Sequence, residues 1–242
     1  MTRTSRLLYI VIRFRENDIE PRHTMKTILT AAVLILSVFG HGDAQSTPAA
    51  KVPAKTNARP DPGTKPPAAE PFDRADAKTM AAQCVSLDTE KGLIEIELFP
   101  ESAPESVRNF LNLAGTGALD TTTFSRVVPN FVIQGGDLYT REGKVTAALG
   151  NRARKTVPDE PNKILHDRGI VSMARGDEPN SATTNFFILL SSAPYLDGKF
   201  AAFGRVTKGI EVAETINKMP VDGEKPVNPV RIKKAAAHLC GA

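Results

Sequence analysis

Residues 124–137 read FSRVVPNFVIQGGD, and this stretch decides the fold. Aromatic and β-branched residues lie on both sides of Pro129-Asn130, and Gly135-Gly136 ends the apolar run. The pattern predicts two short strands joined by a tight turn. Arg126 interrupts the first strand, where an unpaired guanidinium would cost on the order of several kcal/mol. The arginine therefore needs either an acidic partner or a function that requires a cation.

Other segments of the chain also have the two-residue period of a β-strand. GLIEIELFP at residues 92–100 places Ile94, Ile96 and Leu98 on one face and two glutamates on the other, which is typical of a half-buried antiparallel strand. A tight turn is predicted at residues 196–199. Further strands are predicted over residues 123–128, 131–134, 169–174, 185–190, 200–206 and 229–234.

Two segments have the period of a helix. Ser102 and Glu105 have the spacing of a capping box, and apolar residues then recur at i, i+3, i+4 and i+7 until Gly115. A second amphipathic helix is predicted over residues 210–218, before Pro220. The sequence predicts a mainly β fold, because it has many short strands and two isolated helices that do not alternate with the strands. We expect a closed antiparallel β-barrel capped by two α-helices.

Residues 1–44 form the predicted leader. Met25-Lys26 precedes an apolar segment of about 13 residues, which fits a signal peptide better than a membrane span of about 20 residues. Gly42-Asp43-Ala44 has small residues where a signal peptidase would cleave, so we expect the mature chain to begin near Gln45. Residues 1–24 are too long for a basic n-region, and we interpret Met25 as the true start. The alternative is an uncleaved apolar anchor.

Residues 45–79 are predicted to be a flexible linker, and residues 80–242 a single domain. Residues 46–71 contain seven prolines and almost no large apolar residue, so they cannot bury enough surface to offset their ordering entropy. The chain has 31 Lys and Arg against 27 Asp and Glu, but residues 72–242 carry 21 of each. The domain is formally neutral, and its charge argues against a nucleic-acid partner.

The chain has two cysteines, Cys84 and Cys240, at the first and last predicted strands of the domain. In an exported protein, an even and flanking pair predicts a disulfide that ties the two ends of the domain together. The chain-entropy model gives such a bond up to about 5 kcal/mol of stabilisation. The alternative is two buried thiols that do not pair.

Four motifs in register together resemble the cyclophilins, the peptidyl-prolyl cis/trans isomerases. They are FSRVVPNFVIQGGD, GIVSMAR, NFFILL and YLDGKFAAFGRV, beginning at residues 124, 169, 185 and 195. The likeness runs from Cys84 to the C-terminus, and its departures from the eukaryotic pattern resemble bacterial, exported members. The resemblance implies an eight-stranded antiparallel barrel with a helix at each end and a substrate groove on its outer wall.

The resemblance also implies a set of site residues. Arg126 falls at the catalytic arginine, and Gln134 is placed to hold its guanidinium or to bond the substrate backbone. Ala174 and Arg175 fall on the segment whose backbone pairs with the substrate, and Asn185 replaces a usual glutamine in the groove. The residues that fall where the family lines its proline pocket are Phe131, Val132, Gln134, Phe187, Leu196 and Phe200.

The chemistry of X-Pro isomerisation agrees with these roles. Amide resonance gives the bond a rotation barrier of about 18 to 20 kcal/mol. In the twisted state the proline nitrogen regains its lone pair, and a guanidinium can bond it only in that state. Apolar walls would grip the proline ring while the preceding carbonyl rotates. This chemistry requires no nucleophile, metal or cofactor.

We therefore expect an exported, periplasmic or secreted prolyl isomerase that acts as a monomer on flexible, proline-containing polypeptides. It would contact a membrane only if the leader stays uncleaved. Asn185 supports an alternative from another class, a proline-peptide binding module or holdase without useful turnover. A hydrolase is disfavoured because no Ser or Cys has a nearby His in a familiar arrangement. For Arg126 and the phenylalanines, the alternatives are a structural ion pair with a buried acid and ordinary barrel core.

Overall fold

The computed structural model describes residues 69–241 of the 242-residue chain. The predicted leader, the proposed start at Met25 and residues 45–68 of the predicted linker lie outside the described residues. Within residues 69–241, every helix is too short or too polar to cross a bilayer.

Ten strands and four α-helices make up the described part of the chain. The strands are β1 Gln83–Thr89, β2 Gly92–Leu98, β3 Arg126–Val128, β4 Val132–Gly135, β5 Ile170–Met173, β6 Phe186–Leu189, β7 Ala202–Lys208, β8 Val221–Asp222, β9 Lys225–Pro226 and β10 Ile232–Leu239. The helices are α1 Ala77–Ala81, α2 Pro104–Gly115, α3 Ala147–Arg154 and α4 Ile210–Asn217, and short 3₁₀ turns cover Leu138–Thr140 and Pro194–Leu196.

Eight of the strands form one antiparallel sheet in the order β10-β1-β2-β7-β5-β6-β4-β3. The mainly β class and the eight strands are confirmed, but the sheet is open, and the prediction of a closed barrel is wrong. The segments just before the two edge strands meet at an isolated bridge between Thr123 and Arg231 and at the backbone hydrogen bonds beside it, but β3 and β10 themselves do not pair. Beyond it, the hairpin β8–β9 lies against β3, and Val127 N donates to Glu224 O at 2.8 Å. The hairpin thus covers part of the edge of β3, to which β10 would have to bond for the barrel to close.

The two predicted helices are present as α2 and α4, but the capping box is wrong. The residue before α2 is Ala103, and its side chain has no capping oxygen. Instead Glu160, from a distant loop, accepts from Glu105 N at 2.9 Å and from Ser106 N at 2.8 Å. A carboxylate at a helix N-terminus satisfies free N–H groups and complements the helix dipole.

The last strand also differs from its prediction, lying at residues 232–239 rather than 229–234. It pairs along the whole of β1, from Gln83 opposite Leu239 to Thr89 opposite Ile232. The partner strand therefore determines where β10 begins and ends. Helices α1 and α3 were not predicted, because α1 has only five residues and α3 is mostly polar.

The main core lies between the inner face of the sheet and the helices. The side chains of Ile94, Ile96 and Leu98 are buried there, as their alternation predicts. Phe110 of α2 contacts Phe186 and Phe203 of the sheet, with ring centroids 5.1 Å apart in both pairs. A second apolar cluster lies on the other face of the strands around Phe131, Phe187 and Phe200. This outer cluster forms the floor of the candidate site.

Residues 70–81, here called the N-terminal strap, pack against α2 and α3 although most of them belong to the predicted linker. Phe72 N donates to Asn112 Oδ1 at 2.7 Å, and Arg108 Nη1 donates to the carbonyls of Phe72 and Ala75. Arg152 of α3 pairs with Glu70 at 2.7 Å. The packed part of the chain therefore begins at Glu70, well before the first strand at Gln83.

Cys84 and Cys240 form a disulfide that spans 156 residues. The structure thus joins the two cysteines whose pairing is proposed from the sequence. The bond joins the first residues of β1 to the end of β10, two neighbouring strands in the sheet. It therefore closes the domain where its two chain ends meet.

Candidate active site

An open groove with a volume of about 750 Å³ runs over the outer face of β3, β4 and β6. Because side chains alternate along a strand, Ile133 points into the main core while Val132 and Gln134 face the groove. The structure brings nine of the ten predicted site residues to this groove: Arg126, Phe131, Val132, Gln134, Ala174, Arg175, Asn185, Phe187 and Leu196. Phe200, the tenth, packs against Phe187 beneath it.

Arg126 lies at the rim of the groove, directly opposite Gln134 in the β3–β4 ladder. Its Nη1 donates to Gln134 Oε1 at 3.3 Å, and its Nε donates to Glu224 Oε2 at 2.6 Å. The Arg126 side chain is 21% exposed and that of Glu224 is 45% exposed. The guanidinium is thus paired with an acid, but the acid is a surface residue and the groove beside it is open. This geometry differs from the buried structural ion pair considered above.

Apolar side chains form a slot next to Arg126. Phe131, Phe187, Leu196 and Phe200 are each less than one-tenth exposed, yet three of them contribute atoms to the groove surface. The rings of Phe187 and Phe200 meet edge to face with centroids 6.2 Å apart. Such a slot offers contacts to a small aliphatic ring and few polar atoms to compete with it.

The 3₁₀ turn Pro194–Leu196 shapes one wall of the slot. Leu196 N bonds to Ala193 O at 2.9 Å, which turns Leu196 toward the groove and leaves Tyr195 at the surface. The Tyr195 ring stacks on Phe131 with centroids 6.1 Å apart. Burial raises the pKa of the Tyr195 phenol, and the nearby positive charge of Arg126 opposes that shift. The phenol therefore stays protonated at neutral pH.

The opposite wall contains Ala174, Arg175 and Asn185. Ala174 N donates to Asn185 O at 3.0 Å, which holds the two segments together. The Arg175 guanidinium lies 5.0 Å from the centroid of the Phe200 ring, in cation–π geometry. The family resemblance implies a role only for the backbone of Arg175, and the structure adds a packing contact of its side chain.

Sequence reasoning missed several residues of the groove, and Glu224 is the most important. It lies in the turn of the β8–β9 hairpin, 98 residues after Arg126. Gly223-Glu224 between short extended segments is a recognisable turn signal, but nothing in the local pattern indicates where the turn docks. The other groove residues that were missed are Ser125, Asp137, Gly176, Ser181, Thr183 and Lys225.

A Ser-His-Asp array lies next to the slot, with Ser172 and His166 buried and Asp197 partly exposed. His166 Nδ1 is 3.1 Å from Asp197 Oδ1, and His166 Nε2 is 3.3 Å from Ser172 Oγ. A serine and a histidine therefore do approach each other, contrary to the expectation from the sequence, because folding places Ser172 and Asp197 next to the His166 ring. Ser172 is fully buried, and its Oγ lies 2.8 Å from Ala201 O as well as near His166 Nε2. A substrate cannot reach this hydroxyl, so the array is structural.

Burial lowers the pKa of His166, and the hydrogen bond and charge of Asp197 oppose the shift. The imidazole is therefore held neutral over more of the pH range than a free histidine. Among residues 69–241, no cluster of three or more His, Cys, Asp or Glu side chains is placed to hold a metal ion.

The comparisons with known proteins agree with this geometry. Residues 84–237 match the family model described as cyclophilin type peptidyl-prolyl cis-trans isomerase/CLD. The match covers more than half of the chain, and the chain belongs to the cyclophilin-type peptidyl-prolyl cis-trans isomerase family. The chain has the isomerase function of this enzyme class.

The matches to individual relatives extend over almost the whole length of those proteins. The chain is 40% identical over 156 residues to peptidyl-prolyl cis-trans isomerase ppi1 of Schizosaccharomyces pombe, covering 63% of this chain and 97% of that protein. It is 38% identical over 161 residues to peptidyl-prolyl cis-trans isomerase cypE of Dictyostelium discoideum, covering 66% of this chain and all of that protein.

A solved structure shows the same fold. It is a cyclophilin type peptidyl-prolyl cis-trans isomerase of Cryptosporidium parvum, crystallised in the presence of the dipeptide Ala-Pro. The TM-score is 0.56 and the identity 33%, over 64% of this chain and 98% of that one. The family match, which begins at Cys84, likewise lies within the predicted domain.

Proposed function

We propose that this protein is an exported prolyl isomerase that binds proline-containing segments of folding polypeptides in the groove and rotates their X-Pro bonds. The observation that carries the proposal is the position of Arg126 at the rim of the slot formed by Phe131, Phe187, Leu196 and Phe200. The Ala-Pro dipeptide used with the Cryptosporidium parvum relative supports a proline ligand for this groove. Uncatalysed isomerisation takes roughly tens to hundreds of seconds, so folding chains benefit from a catalyst.

The mechanism follows from where charge develops during rotation. As the amide twists, conjugation is lost and the proline nitrogen becomes a hydrogen-bond acceptor. The Nη groups of Arg126 can donate to that nitrogen, and this bond exists only near the top of the barrier. A charge-assisted hydrogen bond contributes about 1.5 to 3 kcal/mol, which corresponds to about one to two decades of rate.

The slot supplies the remaining part of the mechanism. Its rings hold the pyrrolidine by contact and keep water from the amide, while the preceding residue lies toward the open part of the groove. Gln134 fixes one Nη of the guanidinium through its side-chain oxygen. No proton is transferred and no covalent bond is formed, so the role of the residues is to orient the substrate and stabilise the twisted amide.

Export to the periplasm or the cell exterior is supported by two features. The apolar segment after Met25 has the length of a signal peptide, and the Cys84–Cys240 disulfide is typical of an oxidising compartment. The relatives named above come from eukaryotes and give no support to a bacterial source. The mass of the protein isolated from the producing cells tests export, since cleavage near Gln45 and an intact disulfide each change it.

The first test of isomerisation is a protease-coupled assay with an Ala-Pro peptide. We expect kcat/KM of Arg126→Ala to fall by about one to two decades while peptide binding is retained. Arg205→Ala is the matched control, because Arg205 also pairs with a glutamate, Glu97, but lies outside the groove. Equal activity of wild type and Arg126→Ala would contradict the proposed role.

A second candidate is a proline-peptide binding module or holdase. Asn185 favours it, because the side chain is one methylene shorter than the glutamine usual in the family and reaches less far into the groove. Peptide binding by wild type without any acceleration of isomerisation would support this candidate. Restored turnover in Asn185→Gln would then identify the short side chain as the cause.

A further inference from the structure

We propose that Glu224 is a positioning residue for Arg126: it holds the Nε side of the guanidinium and directs the Nη side to the substrate. The proposal rests on the proposed function and deepens it. Glu224 lies outside the four motifs that carry the family likeness and enters the site only through folding.

The contact between the two side chains is short and specific. Glu224 Oε2 accepts from Arg126 Nε at 2.6 Å, whereas Gln134 Oε1 accepts from Nη1 at the longer distance of 3.3 Å. A guanidinium has five N–H donors in one plane. Two of them are used by Glu224 and Gln134, and three on the Nη groups remain for the substrate. The carboxylate therefore determines which edge of the guanidinium faces the slot.

The backbone of the hairpin holds Glu224 in place. Glu224 O accepts from Val127 N at 2.8 Å, so the residue is bonded to the strand that carries Arg126. On either side of the turn, Val221 pairs with Pro226 and Asp222 with Lys225. Gly223 has φ of 61°, a left-handed conformation that glycine adopts without strain. The turn is thus anchored next to the catalytic cation.

The exposure of the Arg126–Glu224 ion pair indicates that it positions the guanidinium rather than stabilises the fold. The two side chains are 21% and 45% exposed, and ion pairs with this much solvent contribute little to folding. Removing the carboxylate should therefore leave the domain folded but allow the guanidinium to occupy several rotamers. Catalysis is sensitive to such disorder, because the proline nitrogen offers one acceptor in one direction.

The experiment compares Glu224→Ala and Glu224→Gln with wild type in the full chain. We expect Glu224→Ala to lower kcat by about three- to fivefold with little change in KM, equivalent to about 0.6 to 1 kcal/mol. Glu224→Gln keeps an acceptor oxygen and should retain most of the rate. Asp222→Asn is the matched control, since Asp222 is exposed on the same hairpin and forms no ion pair or side-chain hydrogen bond with any residue of 69–241.

Two further measurements make the test decisive. In an Arg126→Lys background, which lacks the Nε donor, Glu224→Ala should cause no further loss of kcat. The Arg126 Nε–H resonance, observed by NMR without substrate, should shift and broaden in Glu224→Ala but not in Asp222→Asn. An unchanged or raised kcat in Glu224→Ala, or an unchanged resonance, overturns the proposal. If wild type shows no turnover, the proposed function fails, and the resonance still decides whether Glu224 orders the guanidinium.

Discussion

At the scale of single residues, polar groups in this protein are placed where partners from distant parts of the chain meet them. Arg126 is paired at the groove rim, so the cost of placing a guanidinium in an apolar strand is avoided without deep burial. His166 is the opposite case, because its ring is 1% exposed and is bonded on both nitrogens. Its protonation state should therefore affect stability.

The predicted pH dependence of stability follows from the lowered pKa of His166. The unfolded chain binds a proton near the ordinary value of 6.5, whereas the folded protein binds it only at lower pH. The contribution of His166 to the free energy of unfolding is therefore fully present above about pH 6.5 and is lost as the pH falls toward the pKa of His166 in the folded protein. The loss is at most about 1.4 kcal/mol per pH unit.

Thermal unfolding of wild type and His166→Gln between pH 7.5 and 5.5 checks this expectation. The midpoint of wild type should fall more steeply with acidification than that of the variant. Carboxylates that titrate in both proteins cancel when the two slopes are compared. Parallel slopes would show that His166 does not contribute.

At the scale of elements, helix α2 depends on a loop rather than on its own first residues. Glu160 bonds the free N–H groups of Glu105 and Ser106, and its Oε2 also accepts from the Ser106 hydroxyl at 2.7 Å. The loop and the helix N-terminus are thus joined by three hydrogen bonds to one carboxylate.

Replacing Glu160 by alanine should lower the free energy of unfolding by about 1 to 2 kcal/mol, because the cap and its charge are both lost. Denaturant titration at neutral pH gives this value. Glu101→Ala is the control, since Glu101 is exposed beside the same helix and takes no part in the cap. If Glu101→Ala lowered the free energy of unfolding as much as Glu160→Ala, the effect would come from net charge and not from the cap.

At the scale of the whole molecule, the disulfide connects the two ends of the domain while the groove lies on other strands. Cys84 and Cys240 join β1 to the end of β10, and neither contributes to the groove surface. Stability and activity should therefore respond differently when the bond is removed.

In the Cys84→Ser, Cys240→Ser double variant, we expect the free energy of unfolding to fall by about 2 to 5 kcal/mol, since a 156-residue loop is no longer closed in the unfolded state. Below the lowered melting temperature, kcat/KM on the Ala-Pro peptide should stay close to wild type. A large loss of activity at a temperature where the variant is fully folded would show that the bond supports the groove.

Local patterns in the sequence were sufficient for much of the architecture. Residues 92–98 alternate and residues 104–115 have a helical period because each element buries one face. Every residue of such an element is apolar or polar according to the face on which it lies. The four family motifs together pointed to ten residues, of which nine lie at the same groove. Strand pairing explains part of this, because it places Arg126 opposite Gln134 and Gln134 opposite Phe187. The roles of those residues remain predictions until the variants are measured.

Periodicity in the amino-acid sequence by itself predicted most strands of the sheet and the two main helices, and the family motifs predicted which residues form the apolar slot, since these features depend on the order and type of residues. Only the tertiary structure decided that the sheet stays open, that Glu160 caps α2 and that Glu224 holds Arg126. Those contacts join residues 54 to 98 positions apart through loops. Loops have no repeating pattern of burial, so the position of a loop carboxylate emerges only when the elements on both sides of it have packed.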